Sequence, residues 1–385
     1  MMIATITICM TILKNLKGGL IMKFSIDKST LSEALDIVLK SVSPKSTLKI
    51  IEGVLLEVEG KTLKITGNNL ETAIRYEAEC ETLEPGRIVV EARKFAEIVK
   101  SMPDEELDLI AVEPKMRIEG GKTAVELPVI KADGFPEIKS VQAENFVELD
   151  QAFLKEMILK VAFAASEDDK KPTLKGVLVE IKDGIMKMVA VNIASLAIRT
   201  AKVQTADLKA IIPATTFIDV AKVMKSGKVS IHATETEIMF STEKFIMTAR
   251  LLDGEFFDYK KVYGIKSRTT LKVKVRDIIP ALERIRILAT GTKGLEASVL
   301  RIKDKFHITY KSANGIVDDE IASEIYGPSV KSGYDYRVVL SLLQSIEDTE
   351  VYMHFDSDID SRIKIIPIDS EKFYYMCSPV VMRGE

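Results

Sequence analysis

The sequence predicts an α+β protein with three similar domains, each made of antiparallel sheets and two helices. The main observation is a strand–helix–strand segment that occurs three times, at 86–112, 208–234 and 334–355. Phe95, Phe217 and Val339 fall at matching places in these segments, 122 residues apart. Because solenoid repeats run about 20–50 residues and whole domains about 100–150, this period is that of a domain.

A second repeated segment has the pattern of a hairpin with alternating apolar residues. Its copies lie at 53–75, 176–199 and 298–322. Two repeats also end alike, with Asp133-Gly134-Phe135-Pro136 and Asp253-Gly254-Glu255-Phe256-Phe257. Since strands outnumber helices and show alternating patterns, the sequence favours antiparallel sheets with the helices on one face.

The first repeat is predicted to contain two helices. Helical spacing of apolar residues places the first at 31–41, where Ser29 or Thr30 can cap it. The second is predicted at 93–102, before Pro103. The strands of this repeat are predicted at 54–59, 63–67, 70–78, 87–91, 107–112, 116–119 and 122–128.

The second and third repeats follow the same order. A helix at 151–165 is capped by Asp150, and another spans 215–225. The apolar positions of the first of these helices are Phe153, Met157, Leu159, Val161 and Ala164. The third repeat begins with a strand at 271–275 and a helix at 276–288.

These patterns divide the chain into an extension and three domains. The predicted boundaries are 1–21, 22–142, 146–264 and 268–385, with polar linkers near 139–146 and 260–269. The extension contains an apolar run that is too short to cross a bilayer and lacks the features of a signal peptide. We expect that it is not part of the working protein, because a clean strand pattern begins at Met22.

Composition and charge limit the classes of function. Apolar residues make up 46% and charged residues 29% of the chain, as in an ordinary globular protein. The net charge of −3 argues against a simple cationic nucleic-acid-binding protein but permits a basic surface. The three cysteines are scattered, which indicates a reducing compartment and a cytoplasmic location. His232, His307 and His354 lie apart in strand-like segments, so a structural role is favoured over a catalytic or metal-binding one. With no motif of a known enzyme present, we expect no catalytic residues, metal or cofactor.

The polar sides of the predicted helices carry many basic residues. These are Lys28, Lys40, Arg93, Lys94, Lys100, Lys155, Lys160, Lys222, Lys225, Arg276, Arg284, Arg286 and Arg337. Any one of them can be an ordinary solvated side chain. Together, on helices repeated in space, they can form a basic surface that attracts phosphates without reading sequence.

The segments MKFSIDKSTLSEALDIVLKSV at 22–42 and IIEGVLLEVEGKTLKITGNNLETAI at 50–74 resemble the opening of the bacterial sliding clamp, the beta subunit of DNA polymerase III. The threefold repeat and the Asp-Gly-Phe-Pro ending fit as well. The resemblance covers about 22–379 and rests on the ordered set of segments rather than on one motif.

This resemblance implies a head-to-tail homodimer in which six domains close a ring around duplex DNA, with helices lining the hole and sheets outside. It implies a processivity factor in replication that tethers the polymerase and has no chemistry of its own. The expected partners are double-stranded DNA, the polymerase III alpha subunit and the clamp loader, without a membrane. The expected DNA-binding residues are Lys40, Lys45, Arg93, Lys100, Lys155, Lys222, Lys225, Arg284 and Arg337.

The resemblance also implies a pocket for short peptide motifs of partner proteins. Its expected residues are Leu174, Val191, Leu196, Phe257, Val262, Met376, Ser378, Pro379 and Val380. The family's Thr-Asp-Gly-His-Arg-Leu segment stands here as 191–196, Val-Asn-Ile-Ala-Ser-Leu, so the polar anchors differ. An alternative is therefore a divergent, clamp-like interaction module that serves a repair polymerase or a mobile element.

The dimer contact implied by the family is matched in part. Its expected residues are Lys122, Val125, Leu127, Ile287, Leu288, Asp318 and Asp319. Ala124 replaces a basic residue of the family, so apolar contacts are expected to contribute more and salt to matter less.

Overall fold

The computed structural model describes the chain except for residues 1–19, 139–140, 142–145, 169, 263, 265, 291–297, 348, 358, 360, 369–371 and 381–385. Most of the predicted extension and of the first linker therefore lies outside the described residues. The first strand begins at Leu20, two residues before the predicted start at Met22. The three predicted domain boundaries stay predictions.

The described residues contain six α-helices, numbered here in chain order. They are α1 Lys28–Val38, α2 Ala92–Ser101, α3 Gln151–Leu159, α4 Ala214–Val223, α5 Val275–Ala289 and α6 Tyr336–Gln344. None of these helices is long and apolar enough to cross a membrane.

The strands of the first half are β1 Leu20–Asp27, β2 Gly53–Glu59, β3 Thr62–Asn68, β4 Thr72–Glu79, β5 Glu81–Glu84, β6 Gly86–Glu91, β7 Glu106–Val112, β8 Lys115–Gly120, β9 Thr123–Lys131, β10 Phe146–Asp150, β11 Gly176–Lys182, β12 Ile185–Val191 and β13 Ser195–Lys202. Those of the second half are β14 Leu208–Pro213, β15 Lys228–Ala233, β16 Glu237–Ser241, β17 Phe245–Arg250, β18 Thr269–Lys274, β19 Ser298–Ile302, β20 Phe306–Ser312, β21 Gly315–Ile321, β22 Ser323–Tyr326, β23 Val330–Tyr334, β24 Glu350–Phe355, β25 Ile363–Pro367 and β26 Phe373–Cys377.

The chain forms two compact units. Unit 1 comprises Met1–Glu144 and Lys228–Arg250. Its strands follow the order β15-β16-β17-β4-β3-β2-β6-β9-β8-β7-β1-β5, and α1 packs against α2. Strand β17 of the second repeat pairs antiparallel with β4 of the first, which explains why Lys228–Arg250 belongs to this unit.

Unit 2 comprises Asn145–Gly227 and Leu251–Glu385. It contains a sheet with the order β14-β11-β12-β13-β26-β25-β24-β18-β22 and a smaller one with the order β21-β20-β19-β23. Helix α3 packs against α4, and α5 against α6. Here β13 of the second repeat pairs antiparallel with β26 of the third. The predicted α+β architecture of antiparallel sheets with paired helices is therefore confirmed.

The repeat is visible in the core. Phe95, Phe217 and Val339, predicted to be equivalent, are each no more than 1% exposed. They lie on α2, α4 and α6, at equivalent places of three helix pairs. Truncating a large buried side chain costs several kcal/mol in the free energy of unfolding. This cost explains why the three repeats share a large apolar residue here while their surface residues differ.

Helices α1, α2 and α3 are each capped by the side chain of the last residue of the preceding strand. Asp150 caps α3, as predicted, by accepting hydrogen bonds from the N–H groups of Ala152 and Phe153. The cap predicted for the first helix was wrong. Asp27, not Ser29 or Thr30, accepts from the Thr30 N–H at 2.8 Å, because the strand passes directly into the helix and α1 begins at Lys28.

The prediction for 151–165 was also wrong in its second half. Helix α3 ends at Leu159, and a short 3-10 helix follows at Ala162–Ala164. Leu159 is 49% exposed, because the buried face of α3 runs through Leu154, Met157 and Ile158, and Lys160 after the helix end is only 8% exposed. Sequence periodicity had placed Leu159 on the apolar side and Lys160 on the polar one.

Lys160 belongs to a buried charged network in unit 2, defined by Glu156, Lys160, Arg199 and Phe373. Glu156 Oε1 accepts from Lys160 Nζ and from Arg199 Nη2, both at 3.1 Å. The Arg199 guanidinium lies 3.9 Å from the centre of the Phe373 ring, on the paired strand. Burial raises the pKa of Glu156, but the hydrogen bonds from Lys160 and Arg199 outweigh it, so the pKa lies below its usual value.

Candidate functional site

An apolar cluster in unit 2, called here the unit 2 cluster, combines residues from the second and third repeats. Its buried members are Leu174, Leu178, Val189, Val191, Leu196, Ile198, Ile211, Tyr259, Tyr374 and Met376, and Leu252, Phe256 and Val262 are half-buried at its edge. The ladder between β13 and β26 places Leu196 opposite Met376 and Ile198 opposite Tyr374. Residues far apart in sequence therefore form one apolar face.

A short turn positions the β13 side of this cluster. Asn192 Oδ1 accepts hydrogen bonds from the N–H groups of Ala194 and Ser195, both at 2.8 Å. The Ser378 N–H then donates to the Ala194 carbonyl at 2.8 Å, which fixes the segment after β26 against the turn. Ile193 at the tip is 84% exposed, so an apolar side chain stands beside the cluster without cover.

The structure brings together most of the residues predicted for a peptide pocket. Leu174, Val191, Leu196 and Met376 are in the cluster, and Val262 is at its edge. Ser378 and Pro379 are half-buried directly after β26, and the Val380 N–H donates to the Gly333 carbonyl of β23 at 2.9 Å.

The pocket role predicted for Phe257 stays a prediction. Phe256 packs against the cluster, whereas Phe257 is 41% exposed. Both rings follow a turn at Gly254, where φ is +115°. Sequence reasoning also missed Tyr374, although its position two residues before Met376 on an alternating strand could have indicated it.

A lysine lies beside an aromatic ring of the cluster. Lys364 Nζ lies 5.1 Å from the centre of the Tyr374 ring, and burial lowers the pKa of Lys364. A partly desolvated ammonium over an aromatic ring is held by the ring's negative face. The arrangement suits an apolar ligand with one acidic group at its edge.

Many of the predicted basic residues on the helices have acidic partners. The pairs are Lys100–Asp36 at 2.5 Å, Lys222–Asp219 at 3.3 Å, Arg284–Asp319 at 2.8 Å and Arg337–Asp335 at 2.7 Å. Arg286 is paired with Glu283 in the same way. These cations add less net charge to the helix faces than the sequence alone indicates, because each has a carboxylate beside it.

Other predicted basic residues stand outside those pairs. Lys45 is exposed in the loop after α1, Lys40 is half-buried and Arg93 is exposed at the start of α2. Lys155 Nζ donates to the Met224 carbonyl at 3.3 Å, which occupies the end of its chain. The Lys225 side chain is exposed just after α4.

Two large apolar side chains are exposed in the third repeat, one near the end of α5 and one on β21. Ile287 is 70% and Ile316 67% exposed, and Asn314 Nδ2 donates to the Leu288 carbonyl at 3.0 Å. Ile316 was missed by the sequence reasoning, which identified only Ile287 and Leu288. Asp319 bonds Arg284, and Asp318 lies 3.5 Å from His307 Nδ1, so both predicted acids have cationic or titratable neighbours.

In the first repeat the predicted contact strand is β9. Lys122 and Ala124 are exposed and Val125 is half-buried. Leu127 is only 8% exposed, because alternation turns it toward the core of its own sheet, and its predicted contact with a partner stays a prediction.

The histidines were considered above as possible metal ligands. Among the described residues, no group of three or more His, Cys, Asp or Glu side chains could hold a metal ion. His354 Nδ1 lies 3.0 Å from Thr270 Oγ1, and burial, with the nearby Lys364, lowers the pKa of His354. A neutral, hydrogen-bonded imidazole at neutral pH agrees with the structural role predicted for it.

Comparison with known proteins gives consistent matches. Family models of the DNA polymerase III beta subunit match residues 22–139, as the N-terminal domain, and 148–258, as the central domain. A beta sliding clamp of Bacillus subtilis is 26% identical over 351 residues, covering 87% of this chain and 93% of its own length. One from Pseudomonas putida is 27% identical over 369 residues, covering 93% and 100%.

A solved structure agrees with the sequence matches. The crystal structure of the DNA polymerase III beta subunit from Thermotoga maritima superposes with a TM-score of 0.85 at 25% identity, covering 94% of this chain and 100% of that one. Fold and matches together define a DNA sliding clamp, an accessory protein of DNA replication without catalytic activity of its own. The chain belongs to the DNA polymerase III beta subunit family.

Proposed function

We propose that two copies of this chain associate head to tail in the cytoplasm and close a six-domain ring around duplex DNA. The observation that carries the proposal is the edge strand β21, whose Ile316 is 67% exposed, together with the 70% exposed Ile287 on the neighbouring α5. Large apolar side chains left in water at the edge of a sheet favour a surface that a protein partner covers. Strand β21 is the edge of its sheet among the described residues, so its outer groups can pair with a second chain.

DNA contact in this ring is proposed to depend on the basic residues outside the ion pairs described above, chiefly Lys45 and Arg93; Lys45 lies near enough to Glu52 to help lower the pKa of that carboxyl. Phosphate contacts position a protein on DNA without reading its sequence. A cation already paired with a carboxylate, such as Lys222, contributes less, because the phosphate must compete with that carboxylate.

Replacing Lys45 and Arg93 together by Ala is expected to weaken binding of the dimer to a short linear duplex. Each lost phosphate contact lowers the slope of log K against log salt by about 0.9, so the dimer of the double variant, which lacks four of these cations, should lose roughly 4 from the slope. The measurement is fluorescence anisotropy over a series of salt concentrations.

The matched control is Lys222→Ala, which removes the same charge from a residue paired with Asp219. Its slope should change by well under 1. If Lys222→Ala lowered the slope, per residue replaced, as much as the double variant of Lys45 and Arg93, ion pairing on the helices would not determine which cations contact the duplex.

The unit 2 cluster is proposed to bind short apolar peptide motifs of the polymerase III alpha subunit and of the clamp loader. Two features support this: the exposed Ile193 at the rim and the half-buried edge residues Phe256 and Val262. Because the expected polar anchors at 191–196 are absent, affinity should come mainly from apolar burial and depend little on salt.

Val262→Asp is expected to weaken binding of a fluorescent clamp-binding peptide by at least about tenfold, because a carboxylate would be placed at the apolar edge. Val262 is chosen because it is half-buried, whereas Leu196 is fully buried and a charged residue there would unfold the sheet. Calorimetric titration of the peptide gives the measurement.

The control for this variant is Ile185→Asp, at an apolar residue of unit 2 that is 46% exposed and outside the cluster. It should leave binding unchanged. If the native protein does not bind peptides of the replicative polymerase or loader but does bind a motif from a repair polymerase, the divergent interaction module is favoured, as the altered 191–196 segment would suggest.

A further inference from the structure

A row of side chains that crosses the unit 2 cluster continues into a lysine. Leu196 of β13 lies opposite Met376 of β26, and Met376 lies opposite Lys364 of β25. Residues directly opposite each other in an antiparallel sheet share one face of that sheet. Lys364 is therefore on the face of the cluster, one strand, or about 5 Å, beyond Met376.

Aromatic side chains lie on both sides of Lys364. Its Nζ is 5.1 Å from the centre of the Tyr374 ring, and Tyr374 is itself a member of the cluster. On the other neighbouring strand His354 lies opposite Lys364, and the ring of His354 is 5.9 Å from that of Tyr352. Lys364 is half-buried among these rings, so its ammonium group keeps less hydration than that of an exposed lysine.

No carboxylate of the described residues offsets this burial. Burial is the one cause of the lowered pKa of Lys364, and no acidic neighbour raises that pKa again. The pKa of His354 is lowered by burial and by Lys364, so the imidazole is neutral at neutral pH and supplies no negative charge. A partly buried cation is screened less by salt and water than an exposed one, so it gains more from an acidic group that comes close.

A second lysine on the same face of the sheet differs in this respect. Lys272 lies two residues beyond Thr270, which is opposite His354. The Nζ of Lys272 is 3.2 Å from Glu324 Oε1 and 3.6 Å from a carboxylate oxygen of β24. These carboxylates raise the pKa of Lys272. The lysine beside the cluster therefore differs from the lysine farther away, whose charge is already compensated within the chain.

We propose that Lys364 determines which peptides the unit 2 cluster accepts, by binding an acidic side chain two residues away from the apolar anchor of the peptide. This inference rests on the proposed peptide binding by that cluster and adds the chemical class of the ligand, an apolar–acidic segment. An extended peptide advances about 6–7 Å in two residues, so an anchor beside Met376 brings that side chain within reach of Lys364 Nζ.

The cluster and the lysine have different parts in this recognition. Apolar burial in the cluster supplies most of the affinity. Lys364 supplies discrimination, because a carboxylate gains a charged hydrogen bond there, an amide gains a weaker one and a cation is repelled.

The test uses the full chain and three octapeptides, Ser-X-Ser-Leu-Phe-Ser-X-Ser, in which X is Glu, Gln or Lys. Each is labelled with fluorescein at the N-terminus and amidated at the C-terminus. Because X stands two residues from the apolar pair on both sides, either chain direction presents it to Lys364. The Glu peptide should bind at least about fivefold more tightly than the Gln peptide, and the Lys peptide should bind more weakly than both. Equal binding of the Glu and Gln peptides would overturn the proposal.

Two substitutions test whether the charge of Lys364 causes the preference. Lys364→Met keeps the apolar stem of the side chain, and the Glu and Gln peptides should then bind equally. Lys364→Glu should reverse the order, so that the Lys peptide binds most tightly. A folding defect would weaken all three peptides alike and would not reverse their order. A preference for the Glu peptide that survives in either variant would overturn the proposal.

Two controls separate this inference from the proposed function. Lys303→Met removes an exposed charge between β19 and β20 and should leave all three affinities unchanged; loss of the preference in this variant would refute a local contact at Lys364. Val262→Asp should weaken the neutral Gln peptide at least about tenfold. No saturable binding of any peptide, or binding that Val262→Asp leaves unchanged, would refute peptide binding by the cluster together with this inference. A Glu preference retained in Lys364→Met would refute the inference alone.

Discussion

Replacing Ile287 by Asp should convert the dimer into monomers. Ile287 is 70% exposed near the end of α5, and in the proposed ring it is covered by the partner. Burying a carboxylate there instead of an apolar side chain costs about 3 kcal/mol at each contact. A closed ring has two contacts, so the total of about 6 kcal/mol corresponds to roughly four powers of ten in the dissociation constant.

Sedimentation velocity at micromolar concentration measures this change directly. The matched control is Ile359→Asp, because Ile359 is 67% exposed but stands in a different loop of unit 2. The control should remain dimeric. A second readout is retention on circular DNA after loading, which the Ile287 variant should lose and which linearisation should abolish for the native protein. A dimeric Ile287→Asp protein would remove this side chain from the ring contact.

The second large effect is expected at Glu156. Its replacement by Ala leaves two buried cations, Lys160 and Arg199, without the carboxylate they share. Removing one member of a buried ion pair costs about 3 kcal/mol in the free energy of unfolding, since a buried charge stays uncompensated. Denaturant unfolding followed by circular dichroism measures the loss.

The control is Glu347→Ala, which removes the other carboxylate within reach of Lys160. Glu347 is 84% exposed in its side chain, so its pair with Lys160 at 3.5 Å should contribute less than about 1 kcal/mol. Similar losses for the two variants would mean that Lys160 rather than Arg199 determines the effect.

The same network predicts a pH dependence. The pKa of Glu156 is lowered in the folded chain, because the hydrogen bonds from Lys160 and Arg199 outweigh burial. Its contribution is therefore present above the unfolded value near 4.5 and is lost as pH falls through the lower folded value. The Glu156→Ala protein should lose less stability than the native protein over this acid range.

Much of the fold could be predicted because it depends on spacing within short segments. Phe95 and Phe217 are both buried and lie 122 residues apart, which is the period of the repeat. The alternating pattern of β2 and β3 indicates their hairpin. Local caps were harder, since Asp27 is the last residue of a strand as well as the cap of α1.

The site could be predicted only in part, because it depends on tertiary contacts. Sequence identified Leu196 and Met376 through the family resemblance, and the β13–β26 ladder explains why they meet. It could not show that Arg284 meets Asp319, since these residues lie on different elements. Leu127 was assigned to the surface because an alternating strand gives two faces without saying which one is buried.

The Lys and Arg side chains of the helices that are paired with carboxylates affect how freely such a ring would diffuse along DNA. Arg284 and Lys100 are each about half exposed and already hold a carboxylate. Exposed ion pairs differ from their solvated states by only about 0–1 kcal/mol, close to thermal energy. Exchange between carboxylate and phosphate is then nearly isoenergetic, so we expect a shallow energy profile and low friction during one-dimensional diffusion.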